Sequence, residues 1–346
     1  MARVVAIVLN WRRASETIAC VSSLIQLHRD LDIVVVDNAS GDGSLAAVKA
    51  ALPAIIDADG GRYDLVQAQP LSIGTERSDD DRLSIRLVQT GWNGGYAFGN
   101  NVGIRVALEQ PGCEFIWILN NDVVVADGAS LDALCTKMDA DPTVGLCGST
   151  VVFRARPDLV QSRGGGTFNP VSGRCRPIGL RDKASSRADE AAIERRLAYV
   201  NGAAAFARRS FVDAIGPMTE DYFLFYEEID WAWRARGRFR LGYASGSVVL
   251  HTGGCTTGAD DFGNASALSR HYFARNTLKF LARHWPVSLP IALLMLLREA
   301  LVELCRGHWR NTHTILLALA GRPWERSHPY GGPFGGGAIF SAGDPP

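Results

Sequence analysis

The chain opens with two short apolar runs, each followed by polar residues, and with an amphipathic segment between them. The first run, residues 4–9, ends at Asn10, and the second, residues 33–36, ends at Asp37 and a polar loop that contains glycine. Between the runs, apolar residues recur at helical spacing after Ser15, which we predict to be the N-cap. This alternation indicates a βαβ unit and a parallel sheet.

A third apolar run, residues 115–119, breaks abruptly into Asn120, Asn121 and Asp122. Continuous apolar runs are typical of buried parallel strands, and open α/β sheets bind ligands at the carboxyl ends of such strands. Asp122 is therefore suited to hold a hard divalent cation that bridges phosphates. Asn and Asp are also common in turns, so a plain turn remains the alternative on this pattern.

A second informative stretch leads from the aromatic residues 222–226 into three carboxylates. If a helix starts there, its dipole favours the acids, and Asp230 can pair with Arg234 one turn later. We therefore favour a structural role for Asp230. The aromatic surroundings of Glu228 predict partial desolvation, which raises a carboxyl pKa toward that of a useful general base. The alternative is that all these acids are capping or surface charges.

Two more predicted strands end in polar or glycine-rich loops. Residues 85–88 precede a loop that contains Asn93 and paired glycines, which permit close backbone approach. The last strand, residues 247–250, ends at His251. A single histidine is usually structural, but one at a strand end before a glycine pair is a better ligand candidate than most.

Four regions lie outside this pattern. We predict that residues 57–84 are a surface insertion. Residues 154–198 are interpreted as a variable lid or acceptor loop, and a solvated excursion without function is equally consistent with them. The apolar run 286–297 is too short to span a bilayer. It is suited to a membrane interface, to packing on the preceding domain or to a dimer contact, and these options stay open. The Gly- and Pro-rich residues 329–346 are predicted to be disordered.

Composition narrows the possible functions. The chain has 346 residues, with 36 Lys and Arg against 36 Asp and Glu. It therefore has no net positive charge that would indicate nucleic acid as a partner. The seven cysteines are scattered without a CxxC pair, which argues against a disulfide framework or zinc site and fits a reducing, cytosolic compartment. The N-terminal run lacks the features of a signal peptide.

Six motifs resemble, in order, those of the family 2 glycosyltransferases, particularly the rhamnosyltransferase-like branch. They are Val-Leu-Asn-Trp at 8–11, Val-Val-Asp-Asn-Ala-Ser-Gly-Asp-Gly-Ser at 35–44, Asn-Gly-Gly-Tyr-Ala-Phe-Gly-Asn-Asn-Val-Gly-Ile at 93–104, Leu-Asn-Asn-Asp-Val at 119–123, Phe-Tyr-Glu-Glu-Ile-Asp at 225–230 and His-Thr-Gly-Gly at 251–254. Each motif alone is weak, but the ordered set is specific. It implies an α/β fold with one Rossmann-like nucleotide-sugar-binding domain of the glycosyltransferase A type, over residues 1–275. A helical extension, residues 276–328, follows.

The resemblance also implies roles for individual residues. By position, Asp37 recognises the nucleobase, and the nucleotide pocket is lined by Asn10, Asn93, Asn120 and Asn121. Asp122 binds the metal, and His251 completes the metal or diphosphate site. Glu228 is the general base that deprotonates the acceptor, and Asp230 is the alternative candidate for that role. Two positions depart from the family pattern. Asn120 replaces the first Asp of the Asp-x-Asp motif, which weakens the predicted metal affinity, and Glu228 stands where the family usually has Asp.

The resulting expectation is an inverting glycosyltransferase that depends on Mg²⁺ or Mn²⁺. It would move a sugar such as rhamnose from dTDP-rhamnose or a UDP-sugar to a cell-surface glycan or a lipid-linked acceptor. We expect it in the cytoplasm, with peripheral contact at the inner face of the plasma membrane and a homo-oligomer as open options. The alternative is a noncatalytic sugar-nucleotide-binding or scaffold protein with a decayed site. A nucleotidyltransferase is disfavoured, because no glycine-rich loop with an activating lysine lies near the N-terminus.

Overall fold

The computed structural model describes residues 3–67, 83–253 and 266–322. The strands are β1 (Arg3–Asn10), β2 (Leu31–Asp37), β3 (Tyr63–Gln67), β4 (Leu83–Gln89), β5 (Cys113–Asn120), β6 (Val123–Val125), β7 (Val144–Phe153), β8 (Arg156–Arg163), β9 (Gly165–Phe168), β10 (Cys175–Pro177), β11 (Tyr199–Val200), β12 (Ala204–Arg208) and β13 (Arg240–His251). The helices are α1 (Ala14–Ile25), α2 (Ser44–Ala58), α3 (Tyr96–Leu108), α4 (Ala129–Ala140), α5 (Glu190–Glu194), α6 (Arg209–Ile215), α7 (Glu227–Arg234), α8 (Ala267–His284), α9 (Leu289–Cys305) and α10 (Trp309–Leu319).

One large sheet organises the chain. Its strands follow the order β3, β4, β2, β1, β5, β12, β7, β13 and β6, and β8 pairs with β7 beside this path. The part from β3 to β5 is parallel throughout, whereas β12 runs antiparallel to both of its neighbours. A small second sheet contains β9, β10 and β11. The predicted α/β class with a mostly parallel central sheet is confirmed.

Both faces of the large sheet are covered by helices. Along β1, Val4, Ala6 and Val8 belong to an apolar cluster with α1, α2 and α4. The alternate residues Val5 and Ile7 belong to a second cluster with α3, α6 and α7. A strand buried on both faces must be apolar at successive positions, which is why the central strands are continuous apolar runs in the sequence.

The start of α1 differs from the prediction by two residues. The helix begins at Ala14, and Arg13 occupies the N-cap position without a side-chain cap bond, so the assignment of Ser15 as N-cap is wrong. The backbone N–H of Thr17 donates to the carbonyl of Arg13, which closes the first turn before Ser15 can cap it.

The two segments predicted as insertions contain regular structure where they are described. Residues 57–84 include the end of α2 and all of β3, while residues 68–82 lie outside the described part. Residues 154–198 contain β8, β9, β10 and α5. Arg163 also donates to two carbonyls of that segment. These short strands hold few apolar residues, so periodicity gives little signal for them.

Among the described residues, three α-helices follow β13. The first, α8, begins at Ala267 and spans the predicted domain boundary at residue 275. The helices pack on one another through Ala274, Ala300 and Ile315. Within the described ranges, no helix is long and apolar enough to cross a membrane. The tail predicted to be disordered, residues 329–346, lies outside the described residues.

A tight turn before α7 is the most unusual backbone feature of the fold. Phe223, Phe225 and Tyr226 have φ values of 67°, 68° and 78°, in the left-handed region that residues with a Cβ rarely adopt. The buried side chain of Asn276, on α8, donates to the carbonyls of Tyr222, Leu224 and Phe225 at 3.0, 2.8 and 3.1 Å. Such strain persists only where the surroundings over-determine it. Helix α8 provides that restraint.

The carboxylate of Asp230 anchors the other end of this turn to the same helix. It accepts hydrogen bonds from Tyr222 Oη at 3.1 Å, from Arg234 Nε at 3.0 Å and from Thr219 Oγ1. His284 Nε2, near the end of α8, lies 2.8 Å away. Burial would raise the pKa of Asp230, but these partners outweigh it and lower the pKa. The predicted pairing with Arg234 is present.

We expect the Asn276→Ala variant to lower the free energy of unfolding by about 2–4 kcal/mol, because buried carbonyls of a strained turn lose their donor. Urea denaturation followed by circular dichroism measures this change. Lys279→Ala is the matched control on the same helix, since Lys279 is partly exposed and contacts the carbonyl and carboxylate of Asp221 and the ring of Tyr222 but donates to none of the three carbonyls that Asn276 binds. A stability loss in Asn276→Ala no larger than that of Lys279→Ala would contradict the restraining role.

Candidate active site

A cleft of about 450 Å³ opens at the carboxyl edge of the parallel strands. The ends of β1, β5 and β13 contribute to it, as do the connection between β11 and β12, the turn before α7 and the start of α8. The predicted site residues that line it are Asn93, Asn120, Asn121, Asp122, Glu228 and His251. The structure therefore brings together residues from motifs that are far apart in the sequence.

Asn10 and Asp37 lie beneath the cleft and not in its lining. Asn10 Nδ2 donates to Asp37 Oδ1 at 2.6 Å, and Thr17 Oγ1 donates to Asn10 Oδ1 at 2.6 Å. Asn121 Nδ2 extends this chain to Thr17 Oγ1 at 3.1 Å. All four residues are buried. Neither Asn10 nor Asp37 is among the lining residues of the cleft, and the roles predicted for them stay predictions. The hydrogen bonds among these four side chains link the ends of β1, β2 and β5.

The wall beside β2 is formed by Asn38, Asn93 and Trp11. Asn38 Nδ2 donates to Asn93 Oδ1 at 2.9 Å and to the carbonyl of Gly95 at 3.0 Å. Gly95 has a φ of 93°, and a Cβ there would overlap with the carbonyl of Phe223. The sequence placed Asn93 at the site. It gave no separate signal for Trp11 and Asn38, although both stand within the matching motifs.

Asp122 and His251 face each other in the cleft. Asp122 Oδ1 lies 3.2 Å from His251 Nε2, and His251 Nδ1 lies 2.8 Å from Gln161 Oε1. Burial would raise the pKa of Asp122, but the neighbouring His251 outweighs this effect and lowers the pKa. The Asp122 carboxylate is therefore ionised at neutral pH.

This pair is suited to a divalent cation. Carboxylate oxygens are preferred ligands of Mg²⁺ and Mn²⁺, and imidazole binds transition metals. In the described part of the chain, no cluster of three or more His, Cys, Asp or Glu side chains forms an all-protein metal site. The residues present fit a cation that takes its other ligands from a bound diphosphate and water, as Mg²⁺ commonly does.

Glu228 stands in the first turn of α7 and lines the same cleft. A Cβ at Gly202 would overlap with the Glu228 carboxyl group, so the glycine leaves room for it. Tyr96 Oη donates to the carbonyl of Gly202 at 2.6 Å and holds that segment in place. Burial raises the pKa of Glu228 to about 7. A carboxyl group with this pKa is partly ionised at neutral pH and is a competent proton acceptor.

Glu227 is a cleft residue that the sequence did not single out. It is buried, and burial together with the charge of Glu228 raises its pKa well above the usual value. Its Oε2 atom has no hydrogen-bond partner among the described residues. Neighbouring carboxyl groups whose environments differ can divide the protonated and ionised roles. Burial and the neighbouring charge both favour the protonated form of Glu227.

Asp230, the predicted rival of Glu228, does not line the cleft. Its carboxylate is fully buried among the partners described above. An acid that is ionised and bonded on all sides cannot approach a substrate hydroxyl. The geometry thus gives Asp230 a positioning role and leaves Glu228 as the candidate base.

Two relatives among curated proteins are similar to this chain. One is the low-salt glycan biosynthesis hexosyltransferase Agl10 of Haloferax volcanii, 26% identical over 162 residues, which are 46% of this chain and 48% of that protein. The other is the N-acetylglucosaminyl-diphospho-decaprenol L-rhamnosyltransferase of Mycobacterium tuberculosis, 29% identical over 219 residues, which are 58% of this chain and 68% of that protein. The chain thus spans about half the length of the first relative. No protein-family model matches it.

Among solved structures, the fold is similar to that of the mannosyltransferase PcManGT from Pyrobaculum calidifontis, determined in complex with GDP-Man and Mn²⁺. The TM-score is 0.53 at 16% identity, covering 94% of this chain and 88% of that one. This likeness shows the fold alone, which is the glycosyltransferase A fold. The two curated relatives are named as a hexosyltransferase and a rhamnosyltransferase, which agrees with the predicted enzyme class. The chain is therefore a protein of the glycosyltransferase A fold that resembles the rhamnosyltransferase-like branch of family 2.

Proposed function

We propose that this chain is an inverting, metal-dependent glycosyltransferase that moves a sugar, with rhamnose as the favoured candidate, from a nucleoside diphosphate to a hydroxyl of a lipid-linked glycan. The observation that carries the proposal is the presence in one cleft of a base and an ionised metal ligand. Glu228 has a pKa of about 7, and Asp122 has a lowered pKa beside His251. The mycobacterial relative's name supports rhamnose and a lipid-diphosphate acceptor.

In this mechanism the donor lies along the strand ends and its diphosphate faces Asp122 and His251. A cation held there by Asp122 and His251, with Asn120 close by in the lining, would stabilise the charge that develops on the leaving diphosphate. The side chains of Asn38, Asn93 and Trp11 form the wall for the nucleotide. The hydrogen bond between Asn38 and Asn93 fixes these two side chains before the donor arrives, so binding requires little reorganisation there.

Glu228 performs the proton transfer. Its carboxylate accepts the proton of the acceptor hydroxyl while that oxygen attacks the anomeric carbon. The bond from the anomeric carbon to the diphosphate oxygen breaks, and the electron pair leaves with the nucleoside diphosphate. Attack opposite to the leaving group inverts the anomeric configuration. Only one base is needed, which agrees with a buried, protonated Glu227 beside Glu228.

The C-terminal helices support the proposed peripheral membrane contact. Leu294, Leu301 and Trp309 are 68%, 58% and 70% exposed, and they belong to a larger set of exposed apolar residues on α9 and α10. The other members are Ile291, Leu293, Leu297 and Leu316. Exposed arginines stand in the same helices, at Arg298 and Arg310. Apolar side chains flanked by cations are typical of helices that lie in an anionic membrane interface.

Donor binding should depend on the metal and on Asp122. A dTDP- or UDP-sugar that binds the folded state stabilises it by about 2.7 kcal/mol at one hundred times its dissociation constant. We expect a thermal shift with Mn²⁺ that is lost with EDTA and in Asp122→Asn. Asp139→Asn, at an exposed position of α4, is the control and should retain the shift. An equal shift with Mn²⁺ and with EDTA would exclude the metal site.

Transfer should depend on ionised Glu228. Glu228→Gln should lower kcat by about 10³-fold, because it removes the base, while donor binding persists. In the wild type, kcat/KM should rise about tenfold per pH unit below pH 7 and level off above it, since the deprotonated form is active. Glu109→Gln, an exposed carboxyl change, is the control.

A companion variant tests the position of the base without changing its chemistry. Gly202→Ala places a methyl group where the Glu228 carboxyl group lies, so the side chain must move. A displacement of about 1 Å can cost roughly 10²-fold in rate, so Gly202→Ala should lower kcat by about that factor.

Donor binding without turnover in the wild type, for every acceptor tried, would support the noncatalytic alternative. Full activity in Glu228→Gln would rule out Glu228 as the base.

Vesicle binding should depend on the exposed apolar face of α9. The double variant Leu294→Asp and Leu301→Asp should reduce sedimentation with vesicles that contain phosphatidylglycerol by about tenfold or more. It removes apolar area that the membrane would bury, and it places negative charges against an anionic lipid surface. Leu180→Asp is the control, since Leu180 is exposed but lies far from α9 in the sequence. Identical sedimentation of all three proteins would contradict membrane contact through this face.

A further inference from the structure

A second cavity, of about 540 Å³, adjoins the cleft on the side of the C-terminal helices. Glu228, Tyr199, Phe225 and Phe273 line both cavities. The rings of Phe225 and Phe273 stack with their centroids 4.1 Å apart. The candidate base therefore stands at the junction of two spaces, and only the first of them contains Asp122 and His251.

Three guanidinium groups line the second cavity, those of Arg174, Arg176 and Arg270. Arg174 and Arg270 share one carboxylate, Glu299, at 3.9 and 3.4 Å, and Arg270 lies 3.9 Å from Glu303. Arg270 Nε has no hydrogen-bond partner among the described residues. Arg176 forms no salt bridge within the described part of the chain. The arginines thus have more hydrogen-bonding capacity than their present partners use.

The wall that faces α9 and α10 is largely apolar. Ala292, Met295 and Leu296 of α9 and Ile315 of α10 contribute to it. The opposite side of α9 carries the exposed apolar residues described above. A ligand that matches this cavity needs an anionic group, an apolar part and a hydroxyl within reach of Glu228. Free phosphate meets only the first requirement, and a neutral glycan meets only the last.

We infer that the second cavity binds the diphosphate of a lipid-linked acceptor. Arg174, Arg176 and Arg270 hold the diphosphate through charge-assisted hydrogen bonds, which are about twice as strong as neutral ones. The apolar wall of α9 and α10 contacts the first part of the lipid. Glu299 competes with the diphosphate for two of the arginines. This inference rests on the proposed function, because it takes Glu228 as the base that meets the acceptor hydroxyl.

The test is isothermal titration of the full chain with geranyl diphosphate in buffer that contains EDTA, so that metal-dependent binding in the donor cleft does not contribute. Arg176→Gln and Arg270→Gln should each weaken binding about tenfold. Glu299→Gln should tighten it about threefold, since it releases two arginines. Arg187→Gln, at an exposed position outside both cavities, should bind like the wild type. Arg176 is exposed, so its variant remains informative if Arg270→Gln fails to fold.

Two further ligands separate the sources of affinity. Inorganic pyrophosphate and geraniol should each bind at least tenfold more weakly than geranyl diphosphate, because each lacks one of the two parts. Wild-type affinity for geranyl diphosphate in both arginine variants would overturn the inference. So would the absence of binding in a sample that still shows the Mn²⁺-dependent donor shift. That last result leaves the proposed function intact, whereas loss of the donor shift itself would count against the proposed function.

Discussion

The three hydrogen bonds from Asn276 to the turn before α7 are the constraint on which the candidate site depends. Left-handed backbone at residues other than glycine costs about 1–2 kcal/mol each, and this turn contains three of them. Glu227 and Glu228 follow directly, so the turn fixes where the helix begins and where both carboxyl groups lie. A donor on α8 therefore sets the position of the base. For this reason we treat α8 as part of the catalytic unit, although it spans the boundary predicted from the sequence.

The three acids of residues 227–230 differ in pKa because their surroundings differ. Asp230 is surrounded by donors that lower its pKa, while Glu227 is buried, has one oxygen without a partner among the described residues and has a raised pKa. Glu228 lies between these extremes, with a pKa of about 7. One helical turn thus supplies an anchor, a neighbour whose neutral form is favoured and the proposed base. Moving any of these side chains to another position would exchange their environments and lose the division of roles.

The sequence predicted the elements that carry the site better than it predicted the roles of the side chains. Apolar runs that end in polar residues located Asp122 and His251, because a parallel sheet collects its strand ends at one edge. The same pattern cannot tell whether a polar side chain lines the cleft, and Asn10 and Asp37 do not line it. Asn276 had no local signal, since its role depends on a turn some fifty residues earlier in the chain.

The proposed base, Glu228, stands at the junction of two cavities. A base for an inverting transfer must reach the acceptor oxygen without touching the leaving diphosphate, or the two negative charges would repel each other. Here the ionised Asp122 belongs to the first cavity alone, and the arginines belong to the second alone. Each anionic part of the reaction therefore has its own cationic or metal-binding surroundings. The carboxyl group between them can stay desolvated, and desolvation is what raises its pKa to about 7.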